Sequence, residues 1–138
     1  MCDGRFVAGT ILAVVLSIGQ QAAAQTMVVY LSCDGTTRIV ADKTGVLEPV
    51  KNMGLVVNLA ERTVSGFALP AHIDSADAAS IKFSNQNSPY LGGTYSVTGS
   101  IDRVTGVAWA TTMLTAHDQK VTTNDRYDLV CTVTNRLF

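Results

Sequence analysis

The sequence is poor in the side chains on which most catalysis depends. It has two histidines, His72 and His117, and two glutamates, Glu48 and Glu61. It has no Gly-x-Ser-x-Gly elbow to carry a serine nucleophile, and no glycine-rich phosphate loop beyond the bare pair Gly92-Gly93. Cys-x-x-Cys is absent too, so a tetrahedral zinc site has no obvious framework. No run of like charge occurs, which removes the basic stripe that nucleic acid or an anionic membrane surface would require. An enzyme, a metalloprotein and a nucleic-acid binder are each disfavoured, and no cofactor is expected.

What is present first is an export signal. Met1 to Arg5 carries little net charge, and Phe6–Ile18 is an uncharged apolar run. Its length of about 13 residues suits a signal-peptide core and falls short of the ~20 needed to cross a bilayer as a helix. Gly19-Gln20-Gln21 ends the run, and Ala22-Ala23-Ala24 supplies small residues for a signal peptidase. The expected organisation is a signal peptide over 1–24 and one β domain over 25–138, exported to the periplasm or the medium. Cys2 precedes the apolar core, so a lipoprotein cleavage site does not fit, and no twin-arginine pair is present.

From Gln25 onward nine basic and ten acidic side chains are interspersed, a net charge of −1. Two cysteines remain, Cys33 and Cys131, so one intramolecular pairing is available. An oxidising compartment favours a disulfide there, with two buried thiols as the alternative.

The apolar pattern has period two. Met27, Val29, Leu31 and Cys33 share a face, and Asp34-Gly35 reads as a two-residue type I′ turn into a return strand over 36–41. A strand over 53–60 turns at Glu61-Arg62 and returns over 63–67. The stretches 68–78 and 86–93, with Pro70, Pro89 and several small residues, read as loops. Between them lies a strand over 79–85. Tyr95, Val97, Gly99 and Ile101 form the outward leg of a hairpin whose turn is Asp102–Gly106, and 107–114 returns with Trp109. After a loop over 115–125, Tyr127, Leu129, Cys131 and Val133 share the face of a last strand.

Seven or eight short strands without an amphipathic helix predict an all-β domain. A disulfide between first and last strands favours an antiparallel up-and-down barrel, with a β-sandwich as the alternative. The polar faces Thr94/Ser96/Thr98/Ser100 and Asp128/Thr132/Thr134 speak against an outer-membrane barrel, which needs a continuous apolar band. No stable membrane insertion is therefore expected.

Binding is the function class that remains. Tyr30, Tyr90, Tyr95, Tyr127, Phe67, Phe83 and Trp109 are candidates to line a barrel mouth or a surface patch, with Trp109, Tyr90 and Phe67 singled out as ligand contacts. The expected partner is a protein or small ligand of the cell envelope. The competing reading places a metal-dependent hydrolase on His72, Asp74, His117 and Asp118, if their loops meet.

Cys33-Asp34-Gly35, the hairpin Gly99–Gly106, and Tyr127–Cys131 with Arg136-Leu137-Phe138 resemble a group of short exported β-rich proteins of Gram-negative bacteria. That resemblance implies architecture and envelope location, and it carries over no catalytic residue. A looser likeness is to small disulfide-closed periplasmic barrels that inhibit lysozyme through a Ser-Gly-x-x-Tyr-like loop. Ser65-Gly66-Phe67-Ala68-Leu69 has the Ser-Gly but no matching tyrosine.

Overall fold

The computed structural model describes residues 27–39, 45–118 and 120–134, without the side chains of 121 and 122. The proposed signal peptide lies outside them.

Alternation of apolar and polar residues forces each extended segment to bury one face, and here the buried faces meet around a common axis. Eight strands follow one another in chain order: β1 (Val28–Ile39), β2 (Leu47–Asn58), β3 (Thr63–Ser65), β4 (Ala71–Ala76), β5 (Ser80–Tyr90), β6 (Gly93–Asp102), β7 (Val107–Thr115) and β8 (Val121–Val133). Each pairs antiparallel with the next, and β8 pairs with β1 to close an up-and-down barrel. Cys33 and Cys131 face each other directly in the β1–β8 register and form a disulfide across 98 residues of sequence. The barrel and its staple are thus those predicted, and the sandwich alternative is excluded.

The interior is filled at the waist by Leu55, Val57, Val64, Ile73, Phe83 and Val97, all at most 2 % exposed. Burial of each such side chain stabilises the fold by roughly 1.5–3 kcal/mol. Gly99, on β6, sits directly opposite Phe83 in the β5–β6 register. A Cβ there would collide with the Phe83 ring and the Trp109 carbonyl, so the aromatic ring occupies the space that the glycine leaves.

Local details depart from the sequence reading at several points; β2 already begins at Leu47 and β8 at Val121, inside the stretch expected to be a loop. Asp34-Gly35 is not a hairpin turn. β1 runs straight through it, and the register with β2 shifts between Cys33 and Gly35 as a bulge. The Asp34 carboxylate accepts the Asn52 N–H (2.8 Å), with Asn52 in the left-handed region on the opposite strand. Glycine is needed at 35 because the β8 backbone passes so close that a Cβ would meet the Asp128 carbonyl oxygen.

The two-residue turn lies instead at Leu91-Gly92, both with positive φ, joining Tyr90 and Gly93. Segment 86–93 is therefore mostly strand. Its register shifts between Asn85 and Ser88, where the Asn87 N–H donates to Ser96 Oγ (2.9 Å). That bulge covers Ser96, which is buried, whereas Thr98 beside it is exposed as expected of the wet face.

Finally, 71–76 is strand β4, not loop. Only Ala71 and Ile73 turn inward from it, too few apolar residues to show a pattern. The predicted turn Asp102–Gly106 is present. The Asp102 carboxylate accepts the N–H groups of Val104 (2.8 Å) and Thr105 (2.9 Å), and these bonds hold its carboxyl below the ordinary value.

Among the described residues no helix is long and apolar enough to cross a membrane.

Candidate functional site: an aromatic cavity at one end of the barrel

An eight-stranded barrel is just wide enough to be filled by side chains or to hold one small ligand. Here the waist is filled and the two ends are not. The lower end carries the Asp102–Gly106 turn together with the start of β1 and the end of β8. The upper end carries the Leu91-Gly92 turn and segment 66–70.

At the lower end a cavity of about 380 Å³ is lined mainly by aliphatic side chains, among them Val29, Leu31, Leu59, Ile81, Ile101 and Val133. Cys131 forms part of its wall. It offers hydrophobic surface and little chemistry.

The upper cavity, about 250 Å³, is different. Phe67, Tyr90, Tyr95 and Tyr127 line it together with Asp125 and Thr112. The period-two rule explains this assembly. Asp125 and Tyr127 alternate inward with Leu129 along β8, while Thr112 and Leu114 do so along β7. Tyr95 enters from β6, paired with Leu114. Phe67 comes from segment 66–70, which joins β3 to β4 and is tied to β5 where Asn85 Nδ2 donates to the Pro70 carbonyl (2.7 Å).

The rings touch one another. Phe67 stacks on Phe83 with centroids 5.8 Å apart and meets Tyr127 edge-on at 5.9 Å, while Tyr90 and Tyr95 lie 5.7 Å apart. Phe83 thus forms the floor beneath Phe67.

The electrostatics follow from enclosure. Burial pushes the Tyr95 phenol up to about 12, and the backbone of Ala68 offsets part of that rise. Burial and then the charge of Asp125 also raise the Tyr127 phenol. Both phenols are therefore neutral at physiological pH. Asp125 is raised above the ordinary carboxylate value by burial and, second, by the negative charge of Glu48. Among the described residues no lysine or arginine lines this cavity. The ion pairs among the described residues are Lys120–Asp118 at 3.7 Å and Arg126–Asp128 at 3.2 Å, so Asp125 has no basic partner among them.

Of the three singled-out contact residues, Phe67 and Tyr90 fall on this cavity and Trp109 does not. Ala108 and Ala110 point inward from β7, which turns Trp109 to the outer wall, 37 % exposed. There Arg126 lies over its ring at 5.2 Å and also donates to Asp128, beside exposed Val107 and Val130. Tyr30 belongs to β1 and stays apart from the upper cavity.

The histidine reading gains no geometry. His72 and Asp74 stand exposed on strand β4, where a loop was expected, whereas His117 and Asp118 are exposed in the β7–β8 turn. Asp118 there accepts the Lys120 N–H at 3.1 Å. Among the described residues no three His, Cys, Asp or Glu side chains converge as a metal site would require.

Asp125 was missed in the sequence because 115–125 reads as a loop. Its spacing of two from Tyr127 and four from Leu129 is the signal that places it inside. Compared with known protein families, curated sequences and solved structures, the chain matches none.

Proposed function

We propose that this protein is an exported binding module that takes a small molecule into the upper, aromatic end of its barrel. The cavity formed by Phe67, Tyr90, Tyr95 and Tyr127 carries the reading. A closed wall with a filled waist and one polar, ring-lined recess is the usual arrangement of a ligand pocket, where apolar surface supplies affinity and few polar groups fix orientation. At about 250 Å³ it suits a molecule smaller than a typical drug.

Export is supported by the apolar run Phe6–Ile18 followed by Ala22-Ala23-Ala24, and by a disulfide of the kind that persists in oxidising compartments. The periplasm or the surrounding medium is the proposed location. Intact mass of the secreted product should correspond to a chain beginning at Gln25; retention of Met1–Ala24 would defeat this part of the reading.

Binding is tested by an NMR screen of small polar and aromatic compounds against the disulfide-bonded protein. Shifts are expected at Phe67, Tyr90, Tyr95 and Tyr127, with Trp109 unmoved. Shifts confined to the Trp109 face or to the aliphatic end would overturn the assignment.

A further inference from the structure

We propose that the ligand of the upper cavity is a small organic cation bearing an alkylated ammonium group, held between the rings and the Asp125 carboxylate. This rests on the cavity being the binding site and goes on to name its chemistry.

Three features of the lining lead there. Tyr90, Tyr95, Tyr127 and Phe67 present ring surface on several sides of one space, and an aromatic enclosure attracts a cation through the negative faces of its rings. Apart from the tyrosine phenols, the single ionisable group among the lining residues is acidic, and among the described residues no cationic side chain pairs with it. The charge that acts on Asp125, that of Glu48, is also negative, and among the described residues no ammonium or guanidinium lines the cavity to compete with an entering cation.

An anion is disfavoured by the same pair of charges. A neutral ligand would leave the carboxylate partly desolvated and unpaired, a costly state for a charged group. An alkylated ammonium also matches the lining better than a bare metal ion. Its methyl groups bury against the rings, while a hard metal ion favours several carboxylate oxygens, and among the described residues no three His, Cys, Asp or Glu side chains gather.

The test compares choline with 3,3-dimethyl-1-butanol, its neutral isostere of the same shape, by calorimetry and by NMR shifts of the lining residues. Choline should bind at least tenfold more tightly than the isostere, and its shifts should map to Tyr90, Tyr95, Tyr127 and Phe67. In Asp125→Asn the preference for choline should collapse to within about twofold, with choline binding more weakly and the isostere, which no longer strands a carboxylate, binding somewhat more tightly. Phe67→Leu should weaken choline several-fold and leave the folded spectrum intact.

Equal binding of choline and the isostere to the native protein would overturn the cation and leave the cavity as the ligand site. If neither binds and the small-molecule screen also leaves the lining residues unshifted, the site itself is wrong. Persistence of choline selectivity in Asp125→Asn would overturn the assignment of the carboxylate.

Discussion

The two ends of the barrel are built from the same strands and differ in what those strands turn inward. Below the waist, β1, β5 and β6 contribute Val29, Leu31, Ile81 and Ile101, and the end is an extension of the hydrophobic core. Above it, β6 and β8 contribute Tyr95, Tyr127 and Asp125, and the core gives way to polar groups held on a ring-lined wall. A fold that needed only stability would repeat the aliphatic pattern at both ends. Placing a carboxylate inside a narrow barrel works against stability, and that opposition is what separates a candidate site from packing.

The contrast can be broken or sharpened by measurements of decreasing expected size. Replacing both cysteines, Cys33→Ala with Cys131→Ala, removes the closure of a 98-residue loop. The chain-entropy model puts that loss at about 4.7 kcal/mol, and chemical denaturation should show a midpoint lowered accordingly. Ligand binding at the upper end should survive wherever the variant remains folded.

Next, Ile101→Ala in the lower end should cost about 2 kcal/mol, the low side for such a truncation because the adjoining cavity already leaves its surroundings room to adjust. A cost near zero would mean that the lower end is not core. Third, Gly99→Ala pushes a methyl against the Phe83 ring at the waist and should destabilise by about 1–3 kcal/mol, read from thermal unfolding.

The smallest effect has the opposite sign. Asp125 has its carboxyl raised in the folded protein, so the folded state binds the proton more readily than the unfolded chain. Stability is therefore lost as pH rises from the ordinary value of 3.8 through the raised one. Asp125→Asn should show a modest gain in Tm at neutral pH that disappears below 3.8. A lowered Tm at neutral pH would assign Asp125 a structural role instead. In the native protein, choline binding should weaken as pH falls through the raised value, where Asp125 takes up its proton and loses the charge that holds the cation.

How far all this was legible in the sequence depends on the element. Barrel closure followed from two cysteines placed in the first and last strands, because a disulfide ties its residues to neighbouring positions whatever lies between. The Asp102–Gly106 turn was legible because its chemistry is local. Asp34-Gly35 looked like the same kind of signal and was not, since its glycine answers to the nearness of β8, a strand some ninety residues away.

β4 escaped for lack of apolar residues, and the upper part of β5 because a bulge and Pro89 imitate a loop. As to the site, the list of aromatic candidates was legible and its partition was not. Which rings meet is decided by strand parity and by the path of 66–70, and Asp125 lay hidden in a stretch whose polar composition resembled a turn.

The pairing of β1 with β8 has one further consequence, for the order in which this chain acquires its structure. β1 gains β2 early, through a local hairpin, but its other edge has no partner until the final strand exists. Until β8 joins it, the first strand carries an open row of backbone donors and acceptors, the kind of edge that recruits foreign strands. Closure is also the contact of greatest sequence separation, and such contacts form slowly. The last strand thus acts as the commitment step, and the Cys33–Cys131 bond can form only after it. Chains truncated before Val121 should remain open, edge-exposed and prone to associate, however complete their first seven strands.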